Sequence, residues 1–128
     1  MIYTYDYSAE YNPSMPMVDL GLSLDKGDQQ QALHAIVDSG ADATMIPMHY
    51  LKRIGASASS KKWMRGVAGG RYRVGLYTIF LRLGNYEMYV SVVGDPINNE
   101  VIVGRDVLNR LVVTLNGLAT VVQVEADI

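Results

Sequence analysis

The sequence predicts an all-β chain, closed into a barrel or a sandwich. Short runs rich in Val, Ile, Leu and Tyr recur along its whole length. Glycine, asparagine and aspartate punctuate these runs at turn positions, and only two brief stretches read as helix. Many short strands at regular spacing with turn signals between them are the pattern of a β-barrel or sandwich.

Taken in order, Tyr3, Tyr5 and Tyr7 alternate with Thr4 and Asp6, a strand period that Asn12, Pro13 and Pro16 cut short. Met17–Leu24 follows, with Val18, Leu20, Leu22 and Leu24 on one face. Asp25-Lys26-Gly27-Asp28 reads as a hairpin turn, and Gln30–Val37 is the return strand, with Asp38 at its end. Ala43–Ile46 is a short buried strand. Pro47 opens a helix over Met48–Ile54, closed by Gly55 as a left-handed cap. Ala56–Lys62 is a polar loop. Trp63–Val67 and Arg71–Val74 flank a glycine-rich tip at Ala68-Gly69-Gly70. Leu76–Leu83 and Tyr86–Val93 are strands joined by Gly84-Asn85, and Asp95–Glu100 is a loop. Val101–Val103 is an apolar strand and Gly104–Leu111 a short helix. Asn116-Gly117 predicts a type I′ turn between Val112–Leu115 and Leu118–Val124.

Composition narrows the function classes. At 128 residues and 49% hydrophobic, the chain has the size and apolar content of one ordinary domain. We expect a single domain over 1–128, with an N-terminal arm over 1–16 and a C-terminal extension over 117–128. Eleven basic and 13 acidic residues leave a net charge of −2, which gives no global drive toward nucleic acid. The absence of cysteine excludes disulfides, thiolate catalysis and Cys-ligated zinc, and two histidines, His34 and His49, are too few for a His-rich metal site. We therefore expect no metal. The N-terminus lacks the basic and apolar regions of a secretory signal. No apolar run approaches the roughly 18–20 residues of a membrane span. Cytoplasmic location and no membrane or nucleic-acid partner are the expectations, and the initial Met suggests a free-standing gene product.

The chemistry concentrates in Asp38-Ser39-Gly40. Such a tripeptide is ordinary turn chemistry on its own. Here Ala35-Ile36-Val37 precedes it and the apolar run from Ala41 to Ile46 follows, so the turn is expected to be buried. A buried carboxylate is costly unless it is held and used. A second apolar run ending in Gly104-Arg105-Asp106 lies downstream, with the glycine-tipped hairpin between.

These segments resemble the retropepsins, the retroviral aspartic proteases, and their cellular relatives. Ala35-Ile36-Val37-Asp38-Ser39-Gly40-Ala41-Asp42 matches the hydrophobic-Asp-Thr/Ser-Gly-Ala-Asp signature. Gly66-Val67-Ala68-Gly69-Gly70 is similar to the flap tip. Ile102-Val103-Gly104-Arg105-Asp106-Val107-Leu108 matches the hydrophobic-Gly-Arg-Asn/Asp segment, and Thr114-Leu115-Asn116 continues the likeness. With Met1 present and no viral flanks, the chain looks most like the bacterial single-domain members.

The resemblance implies an acid-protease closed barrel with one or two short helices, one lobe per chain. It implies an aspartic endopeptidase without a cofactor, acting on a polypeptide. Two carboxylates sharing one proton can activate a water and polarise a carbonyl, because both cannot ionise at contact distance. Only one Asp-Ser/Thr-Gly triplet is present, so a homodimer must supply the second Asp38. Ser39 would brace the loop across the dimer axis, or else be a surface turn serine. Gly40 permits a tight turn and close approach of substrate. Ala41 places no hydroxyl beside the carboxylates, which removes a donor to the ionised form and favours a mildly acidic working range. Asp42 is either a substrate contact or the partner of Arg105 in a buried structural pair; the pair is the favoured reading. Asp106 joins that network or caps the helix start.

The Trp63–Val74 hairpin would be the flap, or a plain surface hairpin. Val67, Ile97 and Val103 are expected pocket walls by resemblance. Lys61, Lys62, Arg65, Arg71 and Arg73 with Trp63 and Tyr72 form a basic, aromatic cluster, read as a solvated hairpin in preference to a nucleic-acid surface. His34 and His49 are read as strand and helix-surface residues. One departure from the retroviral pattern stands out. The tail continues past Asn116 into a further strand, so the dimer seam is expected to differ from interleaved terminal strands. The alternative function is a non-catalytic peptide-binding or dimerisation module on the same fold.

Overall fold

A computed structural model describes residues 1–65 and 69–126. Among them, the strands and helices run in the order β1 (Ile2–Asp6), β2 (Met17–Ser23), β3 (Gln31–Val37), β4 (Met45–Pro47), α1 (Met48–Arg53), β5 (Ser60–Arg65), β6 (Arg71–Leu83), β7 (Tyr86–Asp95), β8 (Val101–Val103), α2 (Arg105–Leu108), β9 (Val112–Asn116) and β10 (Val121–Glu125). The larger sheet has the order β2-β3-β8-β4-β7-β6-β5. A second pairing, β2 with β6, closes six of these strands into a barrel and leaves β5 outside the ring. β1, β10 and β9 form a separate antiparallel sheet.

Alternation explains the barrel. Val18, Leu20 and Leu22 of β2 point inward with Leu33 and Ala35 of β3, Ile79 and Leu81 of β6, and Val90 and Val92 of β7. Burying one such side chain contributes about 1.5–3 kcal/mol, so these strands have a strongly specified register. Val122 and Val124 of the small sheet join the same core. Leu51 anchors α1 to it, Lys52 and Arg53 sit favourably in its last turn, and Gly55 follows at φ +79°, the left-handed geometry foreseen for it.

Two parallel pairings position the site. β3 runs parallel to β8, with Val37 opposite Val103, and β4 runs parallel to β7. Parallel neighbours end on the same side of a sheet. The residues after Val37 and after Val103 therefore emerge together at one rim of the barrel.

The structure corrects several local expectations. β6 is one continuous strand through Gly75, because the Tyr77 ring packs over Gly75; a Cβ there would meet the ring at 2.9 Å. β5 begins at Ser60, inside the stretch read as loop, since Ser60–Arg65 pairs fully with β6. Leu24 is exposed, because β2 ends at Ser23 before it can continue the buried face. β9 and β10 are joined by four residues, with Asn116 opposite Val121. The Asn116 side-chain oxygen accepts from Ala119 N–H at 3.0 Å, and the positive φ falls on Thr120 at 55°. Side-chain capping of the turn by Asn116 thus replaces the two-residue type I′ geometry.

Candidate active site

Asp38 is the first residue past β3. Its N–H donates to the Val103 carbonyl at 3.0 Å, extending the β3–β8 ladder by one rung. The chain then turns: Gly40 N–H donates to Asp38 Oδ1 at 2.9 Å and Ala41 N–H to the Asp38 carbonyl at 3.2 Å. An aspartate that accepts from the backbone two residues on forms its own turn, which is the local reason for Asp-x-Gly here. Asp38 is half-buried, while Ser39 and Gly40 are exposed. The expectation of a buried turn is corrected. The loop leaves the barrel at its rim, where water and not side chains surrounds its outer face.

The 104–106 segment braces this loop from behind. Arg105 N–H donates to the Ala41 carbonyl at 2.9 Å. Its guanidinium Nη1 donates to the Ser39 carbonyl at 2.7 Å, and Nη2 pairs with Asp42. Gly104 is required for the approach, since a Cβ there would lie 2.6 Å from the Ala43 carbonyl carbon. Asp42 and Arg105 do meet, but the pair is not buried: their side chains are 86% and 42% exposed. The buried pair inferred from the sequence is thereby corrected, because both residues lie on the open rim with the loop.

The buried lock is one step further in. Thr44 is fully buried. Its hydroxyl donates to Asp106 Oδ1 at 2.7 Å and accepts from Gly104 N–H at 3.1 Å. Its N–H donates to the same carboxylate at 3.0 Å, and Val107 N–H also donates to it, at 2.9 Å. Asp106, in the first turn of α2, therefore joins a network with Thr44 as its partner and not Asp42, while Gly104 is the helix N-cap and no side chain caps it. Thr44 escaped the sequence reading. The one available signal was a hydroxyl inside an apolar run, which must find a partner when buried.

A family model for retroviral aspartyl proteases matches residues 13–116, a span that holds the Asp38 loop and the 104–106 brace. The chain belongs to this family. Its fold agrees with solved retropepsin-like structures. A retropepsin-like aspartic protease from Rickettsia conorii superposes with a TM-score of 0.66 at 10% identity, over 97% of this chain and 90% of that one. The EIAV protease, in complex with the inhibitor HBY-793, gives 0.56 at 19% identity, over 82% and 92%. The protease of simian foamy virus gives 0.53 at 17% identity, over 70% and 88%. No curated protein sequence matches the chain.

The remaining residues of the retropepsin-like pattern fall as follows. Gly66, Val67 and Ala68 lie outside the described residues. Gly69, at φ +86°, and Gly70 are exposed just before β6. Val103 is fully buried in the barrel core and so lines no surface pocket; the neighbouring Ile102, on the opposite face of β8, is the partly exposed residue. Ile97 is exposed beside α1, with Met48, His49, Lys52 and Asp95 around a 250 Å³ cleft. Asp95 shapes that loop by accepting from Ile97 and Asn98 N–H at 2.9 and 3.0 Å. His34 pairs with Asp19 at 2.7 Å across β2–β3, and His49 lies against Tyr50. Among the described residues, no group of three His, Asp or Glu side chains is arranged to hold a metal ion.

Proposed function

We propose that the chain is an aspartic endopeptidase whose active site is completed by a second copy. The observation that carries this reading is the placement of Asp38. A half-buried carboxylate is fixed by its own turn at the barrel rim, in a loop that Arg105 braces through the Ser39 carbonyl. Family membership supports the chemistry, and the exposed Ser39 supports a role at a two-fold axis.

The reaction follows from two Asp38 carboxylates sharing one proton. The ionised carboxylate takes a proton from water as the oxygen attacks the peptide carbonyl. The protonated one donates to the carbonyl oxygen. Collapse of the tetrahedral intermediate breaks the C–N bond, with the newly acquired proton passing to the leaving nitrogen. Ala41, lacking a hydroxyl, favours work in the mildly acidic range. The β5–β6 hairpin serves as the flap over an extended substrate bound by strand-like backbone hydrogen bonds.

The seam between copies lies at β9. It is an edge strand, and Val112–Asn116 contains no charge and no proline. Soluble proteins guard their sheet edges with charges, prolines or bulges. β5, the edge of the larger sheet, carries Lys61, Lys62 and Arg65. β9 instead exposes Val112 and Leu115, at 56% and 52%.

The decisive experiment is a mixed peptide library presented to the purified protein from acidic to neutral pH, alongside Asp38→Asn. We expect defined cleavage products that fall by roughly 10²–10⁴-fold or more in the variant. Cleavage that persists in Asp38→Asn, or none from a confirmed dimer, leaves the non-catalytic peptide-binding module.

A further inference from the structure

The charges of this chain are unevenly spread. Eight of its eleven basic residues lie between Ala43 and Tyr86, a stretch without a single aspartate or glutamate; every one of the 13 acidic residues lies outside it. Five of the eight, Lys61, Lys62, Arg65, Arg71 and Arg73, are exposed on the β5–β6 hairpin. In its register Trp63 faces Arg73, Arg65 faces Arg71, and Lys61 faces Gly75. Directly opposed residues share a face and successive residues alternate. Lys61, Arg65, Arg71 and Arg73 therefore surround Trp63 on one face, while buried Val74 lies on the other.

This face works against the stability of the hairpin. Arg65 opposite Arg71 is a like-charge cross-strand pair, which is destabilising. The exposed Trp63 ring offsets part of it, with the Arg71 and Arg73 guanidiniums at 5.3 and 5.9 Å from its centroid. No carboxylate forms an ion pair with any of the five cations among the described residues. Four cations held on one face without counter-charges form a surface shaped for an anionic ligand.

We propose that this face binds acidic segments of polypeptide, so that the substrates drawn to the site are rich in aspartate and glutamate. The binding stands on the charges alone; the link to substrate choice rests on the hairpin being the flap of an active protease. A polypeptide fits better than a nucleic acid. Single-strand binders offer several free aromatic platforms, whereas the one exposed aromatic ring here already packs against guanidiniums. Outside residues 43–86 the chain carries 13 acidic and three basic residues, so a long phosphate backbone reaching beyond this stretch would meet net negative charge, whereas a short acidic segment ends where the cations end.

The test uses the full chain carrying Asp38→Asn and two fluorescent decapeptides of equal length, one rich in Glu and one with Gln in its place. Anisotropy should show the Glu peptide binding at least about tenfold more tightly at low salt, with the difference shrinking as ionic strength rises. Arg71→Glu with Arg73→Glu should abolish the difference, and so should the milder pair Lys61→Gln with Arg65→Gln, with thermal melts confirming that each variant is folded. Equal binding of the two peptides, or a preference that survives both pairs, overturns the proposal. Tighter binding of oligo-dT than of the Glu peptide overturns it in favour of nucleic acid. Failure of the protease reading is separately visible: wild-type protein would hold the Glu peptide in this salt-dependent way and cleave no peptide.

Discussion

Two side-chain pairs hold the Asp38 loop, and they differ in worth because they differ in burial. Thr44 and Asp106 meet where Thr44 is closed off from water, so Thr44→Val leaves both the Asp106 carboxylate and Gly104 N–H short of a partner. We expect this nearly isosteric change to cost about 1–3 kcal/mol of unfolding free energy, read by urea titration, with Thr44→Ser recovering most of it. Asp42 and Arg105 meet in the open, where an ion pair contributes about 0–1 kcal/mol. Asp42→Asn should therefore barely move the same titration, and a larger loss than Thr44→Val would reverse this ranking. The sequence showed the weaker pair and hid the stronger one. Opposite charges in two matched motifs advertise themselves, whereas Thr44 reads as one more residue of a strand until Asp106, 62 positions away, is folded beside it.

Among the elements, the β2–β3 hairpin is tied to β7 through one pair whose strength depends on pH. The Tyr89 hydroxyl donates to Asp25 and holds that carboxyl below its ordinary value, with Lys26 N–H assisting; Asp25 in turn pushes the Tyr89 phenol up. Asp25 is lowered on folding, so its contribution is present at and above the usual carboxylate range and is lost as pH falls through the folded value. Tyr89 is raised, so its contribution is present below the usual phenol range and is lost as pH rises through its folded value. Exchange at the Lys26 amide should be slowest near neutrality, relative to Tyr89→Phe, and the two proteins should converge at both extremes. A difference that stays constant with pH would exclude the tie. Strands such as β2 and β7 were legible because alternation marks the buried face, and Leu81→Ala in β6 should cost about 2–5 kcal/mol as a core cavity. Gly75 misled because a glycine inside a strand reads as a break until the Tyr77 ring is seen to lie across it. Asn116-Gly117 misled because a strong dipeptide turn signal competes with side-chain capping that only the β9–β10 register reveals.

At the scale of the whole molecule, the three-stranded sheet sets how two copies would join. β9 already pairs with its own β10, and β10 with β1, so the chain holds its terminal strands to itself and the sheet keeps two edges, β1 and β9, of which β9 carries no charge. The five residues of β9 are self-complementary under a two-fold axis through Thr114: Val113 of one copy faces Leu115 of the other, and no charge is opposed. Joining at this edge would give a continuous six-stranded sheet without exchange of termini. Thr114→Pro removes an N–H and its ring opposes strand pairing, and Leu115→Lys places like charges at the seam. Both should lower dimer affinity by at least about tenfold in a sedimentation dilution series while far-ultraviolet circular dichroism stays that of the wild type. On the proposed mechanism, in which two Asp38 carboxylates act together, peptide cleavage should fall in parallel and recover at high protein concentration. An N-terminal fusion ahead of Met1 should leave the dimer intact, since β1 lies at the far side of the sheet from β9. Dimers that survive Leu115→Lys yet dissociate with the fusion would place the seam at β1 instead.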